Sequence, residues 1–384
     1  MERENLQRLE TSFSRAACPE DVFGPLAGND AEKRLGLRTV YAKLSRSCHP
    51  DLADSRDKAL AEVVFGQLAQ WKRQAEQKLT SGTYGDQQPL VPPIPAFAPI
   101  ELCLRGHRLL LHSVLGEGMF ATVYEAEYEG HADGAAFAKI ARDTADNDLL
   151  LREQSILRLL HETHADSSVE AFLRLQRTYI PRTLTSFSVA EAGGGKRRGT
   201  VLSVPAGRCF TIEALRKSKF PHGVEPRHAH WIFRRLLLTL WMAHLQGHIH
   251  GAVTPDHVLV YPEEHGIVLL DWTCAAKIGT EYVPAINPDF AAYCPPEMPK
   301  KALAKPASDL YQAAATMLYL LGGDPAMSLT VPAVVPPPIA RALQRCLAAN
   351  PRRRPQDAER FHDEYGGILL SVDGKRTYAH FEVP

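Results

Sequence analysis

The sequence predicts an α+β protein with a small helical domain, a linker, and a larger domain that divides into a strand-rich lobe and a helix-rich lobe. Three observations support this: helical apolar periodicity up to about residue 85, a proline-rich stretch at 89–99, and strand-like segments that give way to long helices from about 211. With 384 residues, 45% of them hydrophobic, the chain can bury more than one core. The predicted parts are a helical domain (1–86), a linker (87–107), a two-lobed domain (108–366, with lobes of about 108–206 and 207–366) and a tail (367–384).

Charge balance and cysteine pattern limit the classes of partner and compartment. Lys+Arg and Asp+Glu both number 44, so the chain has no overall attraction to nucleic acid or to an anionic membrane. The seven cysteines are scattered without a Cys-x-x-Cys pair, which argues against a zinc site and a disulfide framework. No apolar run reaches the roughly 18 to 20 residues that span a bilayer. We expect a cytoplasmic protein that binds neither nucleic acid nor membrane.

Two amphipathic helices are predicted in the N-terminal domain. Each has apolar residues at helical spacing, so the two can pack as an antiparallel hairpin. The first also has a basic side. The residues concerned are Leu37, Val40, Tyr41 and Leu44 in the first helix, Leu60, Val64, Leu68, Trp71 and Ala75 in the second, and Arg34, Arg38, Lys43 and Arg46 on the basic side.

The loop between these helices contains His49-Pro50-Asp51, in which Pro50 ends the helix and presents its polar neighbours at a tip. With the flanking helices and a Gly-Thr-Tyr-Gly segment, this loop resembles the J domain of DnaJ-type co-chaperones over about residues 20–85. The resemblance implies that the basic helix docks on a DnaK-type chaperone and that the loop helps to trigger ATP hydrolysis there. The implied docking residues are His49, Pro50, Asp51, Arg38 and Lys43. The alternative is a plain turn beside a solvated basic face.

Turn signals mark the other connections. The prolines at 89–99 fix φ and remove N–H donors, which predicts a semi-rigid linker. Residues 193–198 read as a hairpin loop between strands at 183–191 and 199–204. In the tail, Asp373-Gly374 favours a tight hairpin turn.

A glycine-containing turn at 115–124 lies between two strand-like segments. Gly116 and Gly118 allow the backbone to pass close to phosphate groups, and Val123 is placed to cover an adenine ring. The glycines alone could equally form an ordinary hairpin. The turn gains weight from the residues that follow it.

Lys139 lies in an apolar strand, where its charge needs a partner. Glu153, on a helix predicted at 149–160, is the natural candidate. Further on, a loop at 250–259 is followed by an apolar strand at 267–270 and then by Asp271. A Lys–Glu pair and a single aspartate each have a structural alternative, so their order along the chain decides the interpretation.

In order and spacing these motifs resemble the protein kinase family over about residues 108–366. The resemblance implies a two-lobed fold that binds ATP, with magnesium on Asp271. The implied ATP-binding residues are Gly116, Gly118, Val123, Lys139, Glu153 and Asp271. It also assigns structural roles within the large lobe to Glu297, Asp309 and Arg354.

The chain departs from the kinase pattern in its catalytic loop. The residue that accepts the substrate proton in the family is Ala252 here, which has only a methyl group. The loop lysine is replaced by Thr254, and the asparagine that holds a second magnesium is replaced by His257, a poor ligand for that ion. Asp256 is the nearest substitute acid, although its position in the family points away from the substrate. The loop predicts a pseudokinase.

The leading hypothesis is a co-chaperone or scaffold that recruits a DnaK-type ATPase, and whose pseudokinase domain binds ATP or a protein client with little phosphoryl transfer. The first alternative is an enzyme, either an unconventional Ser/Thr protein kinase or another ATP-using transferase. The second is an interaction module that binds no nucleotide.

Overall fold

The structure is a computed structural model, and it divides the chain into two compact units. Unit 1 comprises Met1–His131, Ala136–Leu151 and Leu184–Leu202, and unit 2 comprises Ala132–Ala135, Arg152–Thr183 and Ser203–Pro384. The described residues are 3–16, 18–50, 53–54, 56–80, 82, 84–85, 90–91, 100–131, 134–162, 167–191, 194–375 and 378–383. None of the helices in these ranges is both long and apolar enough to cross a membrane.

Four helices form the N-terminal part of unit 1: α1 (Arg3–Arg15), α2 (Pro19–Phe23), α3 (Asp30–Arg46) and α4 (Lys58–Thr80). The two helices expected from the sequence are α3 and α4. They run antiparallel, because Nη2 of Arg34 near the start of α3 donates to Oγ1 of Thr80 at the end of α4, at 3.3 Å. Their shared core includes the predicted apolar residues Leu37, Val64, Leu68, Trp71 and Ala75.

The strand-rich part of unit 1 is built on a seven-stranded sheet in the order β1-β6-β7-β5-β4-β3-β2. β6 and β7 are neighbours, as the predicted hairpin requires, but β7 begins at Lys196, so the predicted loop at 193–198 extends three residues too far; residues 192–193 lie outside the described residues. The strands are β1 (Leu90–Val91), β2 (Ile100–Leu104), β3 (His107–Glu117), β4 (Ala121–Tyr128), β5 (Ala135–Ala141), β6 (Arg182–Ala190) and β7 (Lys196–Val204).

The predicted linker at 87–107 is too long. Within it, β1 pairs parallel with β6, and β2 pairs antiparallel with β3. The prolines at 89–99 led to the extension of the linker over residues 100–104, which form β2. The turn from β2 into β3 uses Arg105 and Gly106, whose φ values are 52° and 86°. Residues 86–89 and 92–99 lie outside the described residues.

Buried charges connect the helical part of unit 1 to β7. Arg198 is only 2% exposed, and burial lowers the pKa of its guanidinium against the opposing effect of nearby acidic groups that include Glu20. Glu20 also pairs with Lys78, and both side chains are almost fully buried. At the rim, Nζ of Lys196 lies 3.7 Å from Oδ1 of Asp21. The N-terminal helices and β7 therefore share one polar core.

Unit 2 is mainly helical. It holds two small sheets, ordered β11-β10-β8 and β12-β9. Its helices are α6 (Ser167–Gln176), α7 (Ile212–Ala214), α8 (Pro226–Leu245), α9 (Pro306–Leu320), α10 (Pro337–Cys346) and α11 (Ala358–Asp373), while α5 (Asn147–Glu162) begins in unit 1. Its strands are β8 (Phe210–Thr211), β9 (His248–Ile249), β10 (Val258–Tyr261), β11 (Gly266–Leu269) and β12 (Ala276–Lys277).

The predicted hairpin in the tail was wrong. Asp373 is the last residue of α11, and Gly374, at φ 71°, caps that helix in the left-handed conformation. An aspartate–glycine pair can end a helix as readily as it can turn a hairpin, because both uses need positive φ at the glycine. Beyond it, Phe381 is buried and stacks on His228, with ring centroids 4.5 Å apart.

Candidate functional site

The glycine turn of unit 1 joins β3 to β4. Gly118 closes it by donating its N–H to the carbonyl of Ala121 at 2.9 Å, and a Cβ at Gly118 would lie 3.3 Å from that oxygen. A Cβ at Gly116 would meet nothing within 4 Å, so one face of its backbone is open. Nη1 of Arg142 donates to the carbonyl of Gly118 at 3.2 Å and steadies the turn. Gly118 fixes the turn by its hydrogen bond, and Gly116 leaves room beside the backbone, so a phosphate could approach the turn closely.

Lys139 lies on β5, directly opposite Val123 of β4 in the antiparallel register. Only 5% of the Lys139 surface is exposed, so the lysine is buried within the sheet. A lysine at this depth is kept only where its charge is compensated. Lys139 belongs to unit 1 and Glu153 to unit 2, so their predicted ion pair stays a prediction.

Glu153 lies on α5, which extends the predicted helix by about a turn in total. It is 1% exposed, and its Oε1 accepts the backbone N–H of Trp272 at 3.0 Å. Sequence reasoning missed this contact, since it joins residues 119 positions apart. It ties the helix directly to the residue after Asp271.

Asp271 follows β11 and occupies the left-handed region, at φ 60° and ψ 74°. A non-glycine residue there is uncommon and often marks a functional position. Its Oδ1 accepts from the hydroxyl and from the backbone N–H of Thr273, while its Oδ2 lies 3.3 Å from Nε2 of His257. Both carboxylate oxygens therefore already have contacts within unit 2.

His250 is a structural residue of the catalytic loop. Burial lowers the pKa of its imidazole to about 4, so the ring is neutral near pH 7. Its Nε2 donates to the carbonyl of Leu270 at 2.8 Å, and its Nδ1 accepts the N–H of Ala252 at 3.2 Å. Both ring nitrogens are thus engaged, and the neighbouring Ala252 offers no group that could accept a proton.

His257 fills the place where the kinase pattern has an asparagine. Its Nδ1 donates to the carbonyl of Ala252 at 2.8 Å, and its Nε2 lies 3.6 Å from Oδ2 of Asp256. Asp256 in turn accepts from the hydroxyl of Thr254 at 2.6 Å. The nearest substitute carboxylate is therefore held against two side chains of its own loop.

These residues fit one magnesium ion better than two. Asp271 supplies a hard carboxylate oxygen of the kind that magnesium prefers. His257 supplies an imidazole nitrogen in place of an oxygen ligand, so it does not fit a second magnesium. Within the described ranges, no group of three or more His, Cys, Asp and Glu side chains converges as a ready-made metal site.

The three residues with implied structural roles bind the large lobe together. Arg354 and Glu297 form a bidentate pair, with N···O distances of 2.6 and 2.9 Å, and the arginine side chain is fully buried. Asp309, also fully buried, accepts the backbone N–H groups of His250 and Gly251 at 2.8 and 2.9 Å. Asp309 therefore holds the backbone at the start of the catalytic loop, while the Arg354–Glu297 pair joins residues 57 positions apart.

The predicted chaperone-docking residues lie on and after α3. Arg38 and Lys43 are exposed, and the ring of His49 packs edge-on against Phe65 at a centroid distance of 5.0 Å. Pro50 accepts the N–H of Ala53 at 3.3 Å. The third residue of the motif, at position 51, lies outside the described residues.

Comparisons with known proteins give distant protein kinases. No protein-family model matches the chain. Serine/threonine-protein kinase F of Synechocystis sp. is 31% identical over 162 residues, which is 38% of this chain and 32% of that protein. The structure of vaccinia related kinase 3 superposes with a TM-score of 0.55 at 17% identity, covering 76% of this chain and 96% of that one. The chain contains a protein-kinase-like domain.

A second solved structure, the PknI kinase domain of Mycobacterium tuberculosis, has a TM-score of 0.51 at 18% identity, covering 72% of this chain and all of that one. These likenesses confirm the predicted kinase-like fold. The chain spans about a third of the curated relative, 32% of its length. The predicted loss of transfer and the predicted J-like role stay predictions.

Proposed function

We propose that the protein-kinase-like domain binds ATP and transfers its terminal phosphoryl group very slowly. The observation that carries this proposal is the catalytic loop, where Ala252 replaces the proton acceptor and His250 is neutral and engaged on both ring nitrogens.

ATP binding is supported separately in each unit. In unit 1, the open backbone at Gly116 and the buried Lys139 suit the phosphates, and Val123 is the residue expected to cover the adenine. In unit 2, Glu153 holds the backbone next to Asp271. A magnesium ion bound with the nucleotide would neutralise phosphate charge, and Asp271 is the residue that would hold it.

Slow transfer is supported by two side chains of the loop. A missing general base costs on the order of 10² to 10⁴ in rate. Thr254 has no charge to stabilise a phosphoryl group, and its hydroxyl is occupied by Asp256. An incoming alcohol would therefore meet neither a free proton acceptor nor a lysine.

Binding can be tested by thermal unfolding with and without saturating Mg-ATP. A ligand that binds only the folded state stabilises it by about 2.7 kcal/mol at 100 times its Kd, so the melting temperature should rise by several degrees. The variant Lys139→Met should lose most of this rise, while Lys300→Met, at an exposed lysine, should keep it. An unchanged melting temperature of the wild type would contradict ATP binding and favour the nucleotide-free interaction module.

The second candidate is an active Ser/Thr protein kinase. It is favoured by the curated relative, which is a serine/threonine-protein kinase, and by the presence of Lys139, Glu153 and Asp271 in the sequence. Here Asp256 would have to release Thr254 and turn toward the substrate. Lys139-dependent transfer that is lost in Asp256→Asn would establish this candidate.

For the N-terminal helices we propose recruitment of a DnaK-type chaperone. The proposal is supported by the antiparallel pair α3–α4, by the exposed Arg38 and Lys43, and by the position of His49 three residues after the end of α3. Purified protein should raise the ATPase rate of a DnaK-type chaperone, and His49→Gln should abolish that rise. The matched control is His107→Gln, an exposed histidine of the strand-rich part. Equal stimulation by both variants would refute the role.

A further inference from the structure

The segment after Asp271 follows a well-anchored path through unit 2. Its strand β12 pairs with β9. The N–H of Ile278 donates to the carbonyl of Gly247 at 2.8 Å, and that of Gly279 donates to the carbonyl of Ala304 at 3.0 Å. In protein kinases, the equivalent segment is often ordered only after phosphorylation, through new pairs between arginine and phosphate. In this chain, contacts of β12, Ile278 and Gly279 with residues of unit 2 hold the segment.

Two consecutive residues of α5 hold this segment. Glu153 accepts the N–H of Trp272 at 3.0 Å. Its neighbour Arg152 donates through Nη1 to the carbonyl of Ala275 at 3.1 Å and to Oε2 of Glu281 at 2.8 Å. The segment is therefore clamped to the helix both beside Asp271 and ten residues farther on.

Glu281 is the anion of this clamp. Its Oε2 also accepts the backbone N–H of Lys277 at 3.1 Å, and its own carbonyl accepts the N–H of Ala304 at 2.7 Å. Burial by itself would raise the pKa of the carboxyl, but Arg152, with smaller contributions from Lys277 and His248, brings that pKa below its ordinary value. Glu281 is thus a permanent negative charge at neutral pH.

Gly251 explains why the cation comes from α5. The kinase pattern has an arginine at this position of the catalytic loop. Here the backbone is left-handed, at φ 78°, and a Cβ would lie only 2.6 Å from the carbonyl oxygen of Cys274. The segment packs directly on this glycine, so no side chain can extend from it toward a phosphate.

We propose that Arg152 and Glu281 are positioning residues that keep the segment after Asp271 in place without phosphorylation. The fixed carboxylate of Glu281 takes the place of a phosphate, and Arg152 takes the place of the missing loop arginine. The consequence for ATP rests on the proposed function: Asp271 and Glu153 are held ready for nucleotide at all times. The clamp itself requires no nucleotide.

The test is hydrogen–deuterium exchange of the full chain without nucleotide, followed at residues 272–281. Because the pair is partly exposed, Glu281→Gln and Arg152→Met should speed exchange there by roughly two- to fivefold. The control Glu364→Gln breaks the pair with Arg345 in the same unit and should leave this segment unchanged. Equal exchange in the wild type and both clamp variants would overturn the proposal.

Two further arms keep the outcome decisive. The swapped variant Arg152→Glu with Glu281→Arg re-forms only the charge pair and loses the bonds to Ala275 and Lys277, so it should exchange more slowly than either single variant but faster than the wild type. Mass spectrometry should find the slow exchange in protein without phosphate on Thr280 or Tyr282, and slow exchange that disappears on phosphatase treatment would contradict the proposal. Mg-ATP affinity, measured in parallel, should fall in Glu281→Gln. If exchange speeds up in the clamp variants but the wild type binds no nucleotide, the clamp stands and only the proposed function is refuted.

Discussion

At the scale of single residues, the kinase-like domain keeps the structural contacts expected of the family, while its catalytic loop has Ala252 and Thr254 where the kinase pattern has an aspartate and a lysine. Arg354 and Glu297 keep their bidentate pair, and Asp309 still accepts two backbone N–H groups of the loop. Ala252, the next residue of the loop that Asp309 holds, carries only a methyl group. Contacts that would place a catalytic base are therefore present, while the position that the kinase pattern assigns to the base is an alanine.

The Arg354–Glu297 pair gives a direct stability prediction. Replacing Glu297 with Gln leaves the fully buried Arg354 charge uncompensated, which should cost about 3–5 kcal/mol of unfolding free energy. The half-exposed pair Arg345–Glu364 is the matched comparison, and Glu364→Gln should cost about 1 kcal/mol or less. Urea unfolding measures both. Equal losses would show that burial of the arginine does not control the cost.

At the scale of elements, the sequence predicted the helices and turns whose signals come from residues close together along the chain. The apolar stripes of α3 and α4 and the glycine turn between β3 and β4 are read from residues a few positions apart. The errors arose where one signal serves two structures. Asp373-Gly374 caps α11 instead of turning a hairpin, and the prolines at 89–99 concealed the alternation of β2.

Long-range contacts could not be predicted in the same way. Arg152 and Glu281 are 129 residues apart, and nothing local in either segment marks the other as its partner. The same holds for Glu153 and Trp272, where the acceptor is a side chain but the donor is backbone. Motifs were therefore enough to propose the site residues, while the contacts that position them required the fold.

The packing of α8 against α11 predicts sensitivity to acid. Burial lowers the pKa of His230 to about 4, and its Nδ1 accepts the hydroxyl of Tyr365 at 2.8 Å. In the unfolded chain, His230 takes up a proton with the ordinary pKa of 6.5. The contribution of neutral His230 to the free energy of unfolding is therefore fully present above about pH 6.5 and is lost progressively as the pH falls to about 4. Other buried histidines, including His250, add to the effect.

Urea unfolding between pH 7 and pH 5 checks this. The wild-type free energy of unfolding should fall over this range, by about 2 kcal/mol from His230 alone. His230→Gln, which cannot take up the proton, should be less stable at pH 7 but should show a shallower dependence. An identical slope in the two proteins would exclude a contribution from His230.

At the scale of the whole molecule, the two units differ from the domains expected from the sequence. The N-terminal helices share unit 1 with most of the strands, and Arg198 of β7 is buried near Glu20 and Asp21 of α2. A separate helical domain on a proline linker would have left the Arg198 charge in water. In this protein the helices are part of the lobe that carries the glycine turn.

The proposed slow phosphoryl transfer depends on the lack of a proton acceptor in the catalytic loop. The measurement that tests it most directly is the single-turnover rate of radiolabel transfer from ATP to protein, compared between the wild type and the double variant Ala252→Asp with Thr254→Lys. We predict almost no transfer by the wild type and an increase of about 10²-fold or more in the variant. Wild-type transfer at the 1–100 s⁻¹ typical of protein kinases, abolished by Lys139→Met, would contradict the account.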